Sequence, residues 1–215
     1  MKLIENDKIT GESKLVDTVI NKDVRCGLQC LPDNYIDMII TSPPYWGLRN
    51  YNVDGQIGQE ESPEKYVETM RSVFSAARRV LKDTGTLWLN LGDTYMSGGS
   101  PSRHFGYADE KNKKGRNIDF HEPQTNKHET IKPKDLVGIP WRVALALQQD
   151  GWYLRSDIIW HKPNAMPESA HDRPSRDHEY IFLFSKNQKY YYDADAIREP
   201  HTSLDDLKRR KNKTY

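Results

Sequence analysis

Residues 37–51, Asp-Met-Ile-Ile-Thr-Ser-Pro-Pro-Tyr-Trp-Gly-Leu-Arg-Asn-Tyr, set an aliphatic run directly against a hydroxyl, two prolines and two large aromatics. Proline fixes its own φ and pushes the residue before it out of the helical region. Ser42 and Pro43 both precede a proline, so the stretch holds an extended, stiff shape. Neither Pro43 nor Pro44 has an N–H, which leaves a row of acceptors: the Ser42 hydroxyl and the carbonyls of Ser42 and Pro43. Tyr45 and Trp46 then offer flat faces. Acceptors beside an aromatic face suit a nucleobase with an exocyclic amino group. The ring stacks, which is worth about 1–3 kcal/mol, and the amino hydrogens point at oxygens. A base in a duplex reaches such a pocket only by being flipped out of the helix. The same residues also read as a proline-rich turn with its aromatics packed on a core.

Several elements must position this turn. Residues 36–41 are a short, continuous apolar run, as expected of a strand buried on both faces of a parallel sheet. Residues 15–20 read as a shorter strand, and 24–35 as a helical turn or two ended by Pro32-Asp33-Asn34. Ser62 is a helix N-cap with Pro63 in the first turn. Tyr66, Val67, Met70, Val73, Phe74, Ala77, Val80 and Leu81 recur at helical spacing. Asp83-Thr84-Gly85 is expected to stop that helix before a second buried strand over 86–93. Strand, helix, strand is the unit of a doubly wound α/β sheet, and such sheets bind ligands at the carboxyl edge of their strands. A further helix carries Ile139, Val143, Ala146 and Leu147 on one face and ends at Asp150-Gly151. Residues 153–162 form a strand with Trp160 in the core, and 178–186 with 189–197 form an antiparallel hairpin about Asn187-Gln188.

The totals set limits. The chain has 215 residues, 36% hydrophobic and 29% charged, with a net charge of +1. Bulk charge therefore does not announce a polyanion binder, and local clusters must be sought. Cys26 and Cys30 are the only cysteines; they build no disulfide framework or zinc site and read as small apolar thiols in a reducing compartment. His104, His121 and His128 are too scattered for a metal. No apolar run approaches the roughly 20 residues that span a bilayer, and residues 1–14 have no signal-peptide core, so a cytoplasmic protein without membrane partners is expected. Residues 96–134 are polar, with Arg103, Lys111, Lys113, Lys114 and Arg116, and read either as a mobile surface loop or as a flexible arm that meets a polyanion.

"TSPPYWGLRNY" resembles motif IV of the DNA amino-methyltransferases, which methylate N4 of cytosine or N6 of adenine. "GTLWLNLGD", "SDIIWHKPNAMPES" and "RPSRDHEYIFLFSK" resemble later blocks of the same family, in the same order. The likeness runs from about Val16 to Pro200. It implies an α/β, Rossmann-like methyltransferase sheet, mostly parallel with an antiparallel C-terminal hairpin. In the family's β arrangement the catalytic block precedes a cofactor block with a Pro-Phe-x-Gly-x-Gly turn, and no such turn occurs in this sequence. The expectation is thus an incomplete catalytic domain over 1–215, with 96–134 a basic insertion and 201–215 a basic tail leading toward a missing segment. A C-terminal segment or a second polypeptide would supply the cofactor block.

By the resemblance, the chain is a restriction–modification DNA methyltransferase that uses S-adenosylmethionine on double-stranded DNA. Ser42, Pro43, Pro44 and Tyr45 would be catalytic. Asp23 and Ser42 would meet the cofactor. Trp46, Lys162, Asn164 and the basic residues Arg103, Lys113, Lys114 and Arg116 would contact DNA. The residue pair His178-Glu179 reads as support for the site wall. Ser at the first motif position leans toward cytosine N4. Adenine N6, a non-catalytic DNA-binding remnant, and methylation of a protein amide are the alternatives.

Overall fold

A computed structural model of the chain describes residues 2–4, 17–96 and 128–199. In chain order the elements are β1 (Lys2–Ile4), β2 (Thr18–Ile20), α1 (Val24–Gln29), β3 (Ile36–Thr41), α2 (Pro63–Val80), β4 (Leu81–Leu91), α3 (Ile139–Gln149), β5 (Tyr153–His161) and β6 (His178–Ser185). β1 and β2 form a small parallel pair of their own. The main sheet has the order β3-β4-β6-β5. β3 and β4 are parallel, and β6 runs antiparallel to both of its neighbours, so three of the four strands point the same way.

Local chemistry explains where the helices start. Ser62 is extended, and its hydroxyl accepts the Lys65 N–H at 3.3 Å, with Pro63 in the first turn of α2. Gly138 at the start of α3 has no side chain to cap with. Asp93, just past β4, does it instead: its Oδ1 accepts the N–H groups of Thr94, Gly138 and Ile139, each at 2.9 Å. One carboxylate therefore ties the end of β4 to the head of α3 and satisfies donors the helix cannot.

The register sorts side chains onto two faces of the sheet. Leu87, Leu89 and Leu91 of β4 lie opposite Phe184, Phe182 and Tyr180 of β6. These six, except the partly buried Tyr180, are buried with Tyr66, Met70, Phe74 and Ala77 of α2 and Val143 and Leu147 of α3. The other face carries Thr86, Trp88 and Asn90, with Met38 and Ile40 of β3 beside the first two. Met38 is 52% exposed and Ile40 70%. The expectation that β3 is buried on both faces is thus corrected: helices of the described residues cover one side only.

Three further readings change. Asp83-Thr84-Gly85 does not separate helix from strand; β4 begins at Leu81, and the triplet lies within it as a register shift against β3. A Cβ at Gly85 would meet the Leu81 side chain at 2.6 Å, so the kink needs glycine. Residues 189–197 are not the hairpin partner of β6, because both edges of β6 are already hydrogen bonded, to β4 and to β5. Trp160 is 53% exposed, outside the core, since β5 is the edge strand. No disulfide joins Cys26 and Cys30.

Candidate active site at the carboxyl end of the sheet

Residues 42–47 leave the end of β3 and are clamped from two sides by glycines. The Tyr45 ring lies over Gly92, just past β4, where a Cβ would sit 2.5 Å from Tyr45 Cε2. Gly58, at φ 97°, backs the same turn; a Cβ there would lie 2.9 Å from the Tyr45 carbonyl oxygen. The Gly58 carbonyl accepts the Gly47 N–H at 2.8 Å. From below, the fully buried Tyr66 of α2 donates its hydroxyl to the Pro44 carbonyl at 2.9 Å. Burial pushes the Tyr66 phenol well up, so it remains a donor.

The turn holds its acceptors as the sequence suggests. Ser42 is exposed. Among the described residues no protein donor engages the Pro43 carbonyl. The Ser42 hydroxyl is 3.2 Å from the Tyr45 hydroxyl, which in turn lies 2.8 Å from Asn90 Oδ1 and 3.2 Å from Glu179 Oε2. Asn90 Nδ2 donates to Glu179 Oε2 at 3.3 Å and to the Tyr180 carbonyl at 3.1 Å. Lys162, just past β5, closes the set with an ion pair to Glu179 Oε1. Parallel β3, β4 and β5 all end here, and antiparallel β6 begins here, so the fold brings residues far apart in sequence to one edge.

Burial alone would raise the Glu179 carboxyl. The Lys162 ammonium, helped by the Asn90 amide and the Tyr45 hydroxyl, more than offsets this and holds it below the ordinary glutamate value. The Tyr45 phenol is shifted upward, first by burial and then by the neighbouring Glu179 charge, against the lowering effect of the Ser42 hydrogen bond. At neutral pH the edge therefore holds a carboxylate, an ammonium and two neutral hydroxyls.

The DNA methylase family N6_N4_Mtase matches residues 36–215. The Type II methyltransferase M.SmaI of Serratia marcescens is 54% identical over 182 residues, which are 85% of this chain and 60% of that protein. M.Cfr9I of Citrobacter freundii is 52% identical over 186 residues, 86% of this chain and 60% of the relative. This chain belongs to the N6/N4 DNA methylase family. It spans about 60% of the length of these relatives. The solved PvuII DNA methyltransferase, described as cytosine-N4-specific, shares the fold at a TM-score of 0.57 and 18% identity, over 82% of this chain and 51% of its own. A Thermus thermophilus methylase solved with S-adenosyl-L-methionine superposes at 0.50 and 20% identity, over 90% and 58%.

Within this chain the other expected residues fall in different places. Trp46 is a correction: it is buried, 6% exposed, and its Nε1–H donates to the Glu60 carbonyl at 2.9 Å, so its face supports the turn from inside and is closed to DNA. Asn164 is exposed in the turn after β5, outside the network. Lys162 points into the network through Glu179. Arg103, Lys113, Lys114 and Arg116 lie outside the described residues. The chain on either side of that stretch is placed, however. The Met96 N–H donates to the Asp135 carbonyl and the Met96 carbonyl accepts the Lys134 N–H, both at 2.9 Å, the Val137 N–H donates to the Thr94 carbonyl at 2.9 Å, and Arg173 covers the Tyr95 ring at 3.8 Å. Residues 94–96 and 134–137 thus lie together just past β4.

The fit to S-adenosylmethionine is partial. The family's sulfonium donor would lie against Ser42, where acceptors are present. Asp23, however, N-caps α1 and has both carboxylate oxygens engaged by Arg25, at 2.7 Å to Nε and 3.0 Å to a terminal nitrogen. The Arg25 pairing holds the Asp23 carboxyl below its usual range. No glycine-rich strand–turn stands among the described residues to grip the cofactor. They do not by themselves fit the cofactor.

The sequence reading gives Asn90, Gly92 and Asp93 no site role of their own, and it places Tyr66 only on the apolar face of a helix. Asn90 had a signal: in Leu87-Trp88-Leu89-Asn90-Leu91 it is the one polar side chain, on the face opposite the leucines.

Proposed function

We propose that this chain carries the base-binding edge of a site-specific DNA methyltransferase that methylates N4 of a flipped cytosine. The observation that supports it best is the pair of acceptors, the exposed Ser42 hydroxyl and the Pro43 carbonyl that no donor of the described residues engages, on a turn locked by Gly58, Gly92 and Tyr66. The amino nitrogen of cytosine is a poor nucleophile because its lone pair is delocalised into the ring. Hydrogen bonds from its two N–H groups to Ser42 and Pro43 draw it toward tetrahedral geometry and free that lone pair. S-adenosylmethionine, when bound, would supply an electrophilic methyl group, its sulfur–methyl bond breaking as the nitrogen–carbon bond forms and its sulfur leaving as a neutral thioether. The nitrogen becomes cationic on methylation and releases its proton to water. No covalent enzyme intermediate is needed, and Cys26 and Cys30 lie away on α1 and its cap. Catalysis here rests on positioning and preorganised dipoles.

The cofactor half belongs to a further segment or a second polypeptide. Two observations support this: the relatives are longer, and Met38 and Ile40 lie open on the face that helices do not cover. Double-stranded DNA is the partner, met by the arm between residues 96 and 128 through Arg103, Lys113, Lys114 and Arg116, and by Asn164 at the rim. Because such contacts neutralise phosphates, binding should weaken with salt. A cytoplasmic location follows from the DNA substrate. No helix of the described residues is long and apolar enough to cross a membrane.

The test is Ser42→Ala in the complete protein or assembly, with nucleoside mass spectrometry of the modified DNA. The parent should yield N4-methylcytosine, and the variant should lose roughly 100-fold or more in methyl transfer, as for loss of one preorganised group, while DNA affinity holds. N6-methyladenine as product would replace cytosine by adenine. Parent-like turnover in the variant would remove Ser42 from the mechanism.

A further inference from the structure

The polar chain at this edge has a direction, and the direction is forced by donor counting. Tyr45 owns one hydroxyl hydrogen, and Glu179 Oε2 and Asn90 Oδ1 both stand within reach of it. The Glu179 carboxylate is acceptor-only. The Asn90 amide has both hydrogens committed, to Glu179 Oε2 and to the Tyr180 carbonyl, so its oxygen is what faces Tyr45. The Tyr45 hydrogen therefore goes toward Asn90 or Glu179 and never toward Ser42. The 3.2 Å contact between Ser42 and Tyr45 must then have Ser42 donating. Its only hydrogen faces inward, and its lone pairs are what remain for the exposed side.

We propose that Glu179 is a positioning residue that acts through Asn90 and Tyr45 to keep the Ser42 hydroxyl an acceptor toward the target amine, with Lys162 holding Glu179 in place. This rests on the functional reading above and deepens it. If the chain ran the other way, Ser42 would aim a hydrogen at the amino hydrogens and repel them. Lys162 fixes which Glu179 oxygen faces inward, because its ammonium pairs with Oε1 and leaves Oε2 for Asn90 and Tyr45. A glutamine at 179 cannot satisfy both sides. With its oxygen toward Lys162, its NH2 meets the Asn90 NH2, and the Asn90 amide must turn. Both neighbours of Tyr45 then present donors, and the Tyr45 hydrogen swings to Ser42.

The experiment uses the complete methyltransferase and three variants: Glu179→Gln, Tyr45→Phe, and the two together. Glu179→Gln should lower kcat by about 10- to 100-fold, with KM for DNA changed by less than about threefold. Tyr45→Phe should act similarly. The double variant should be no slower than Tyr45→Phe alone, since both remove the same relay. Multiplying penalties, or a Glu179→Gln enzyme within about twofold of the parent, would overturn the proposal. A second readout needs no turnover. With 13Cζ-labelled tyrosine in the chain, and the resonance assigned by Tyr45→Phe, the Tyr45 phenol should ionise at lower pH in Glu179→Gln than in the parent. An unmoved Tyr45 titration would overturn the relay even if Ser42→Ala is inactive. A shifted Tyr45 titration beside a fully active Ser42→Ala would keep the relay and overturn the use of Ser42.

Discussion

The two ends of the main sheet both gather charged side chains, and they connect them differently. At the end opposite Ser42, a hollow of about 770 Å³ is lined by Arg71, Arg78, Arg79, Asp150 and Lys186, among others. Arg71 pairs with Asp150 and, at 2.9 Å, with Glu68. Arg79 pairs with Asp33 and also donates to the Leu28 and Leu31 carbonyls. Lys186 donates to the Leu81 carbonyl at 2.8 Å and lies 3.1 Å from Asp83. Only Arg78 Nε, among the described residues, is buried without a partner, and another nitrogen of that guanidinium bonds to the Lys186 carbonyl. Arg71, Arg79 and Lys186 at that end each have a carboxylate partner, and these contacts staple the start of β3 and the ends of α2 and β6 to one another. At the carboxyl end the Lys162–Glu179 ion pair feeds a row of hydrogen bonds that stops at an exposed hydroxyl. The lesson is that charge density does not mark the site. An unfinished hydrogen-bond chain does.

The sharpest way to break that contrast is Gly92→Ala. The new Cβ would fall 2.5 Å from the Tyr45 ring, where real Cβ contacts do not occur, and Gly92 is held between β4 and the Asp93 cap. Tyr45 must leave Asn90 and Glu179. Overpacking of this kind costs typically 1–3 kcal/mol. Turnover should fall further than stability does, by about 100-fold or more, because the turn that carries both acceptors moves with the ring. A variant with parent-like turnover would show that Tyr45 need not sit where it does.

A gentler cut is Tyr66→Phe. The ring stays in the core and only the hydrogen bond to Pro44 disappears. A carbonyl on a stiff proline turn loses its buried donor, which should cost about 1–2 kcal/mol in chemical unfolding. Turnover should drop modestly, by about three- to tenfold, as the turn loosens. An unchanged unfolding midpoint would mean that water replaces the phenol there.

These two positions also show what was legible in the sequence and what was not. The helix starting at Ser62-Pro63 could be read because capping and apolar spacing are local. So could β3, α3 and the motif turn. The partners of β6 could not, since strand pairing is decided by which edges remain free, and nothing within residues 178–197 records that both edges of β6 are taken. Trp46 and Trp160 were misplaced for related reasons. A tryptophan next to the motif seemed available for stacking, yet its indole N–H found the Glu60 carbonyl inside. Trp160 looked like core, yet β5 is an edge. At the site, Ser42 and Tyr45 announced themselves by composition. Asn90, Glu179 and Lys162 join them only because three strands end and one begins at the same edge.

The smallest effect belongs to the opposite end, and its sign can be worked out. Asp150 sits with Arg71, whose hydrogen bonds hold the carboxyl below its usual value against the raising effect of burial. A carboxyl lowered in the folded state stabilises the fold above its unfolded value, roughly 3.9, and that contribution disappears as pH falls through the folded value. Asp150→Asn should therefore lower the thermal midpoint slightly at pH 7, as expected of a partly exposed ion pair, and the gap from the parent should close in acid. Turnover should not change, because nothing in that hollow joins the row ending at Ser42. Glu179 is lowered in the same sense, so its own stabilising charge is lost only as pH falls below the ordinary glutamate range. There the two ends part company: protonating Glu179 puts a hydrogen where Tyr45 and Asn90 now donate. Acid should thus slow methyl transfer only below the ordinary glutamate range, roughly 4.3, in the parent and in Asp150→Asn alike. A pH–rate profile that shifts with Asp150→Asn would show the two ends to be coupled.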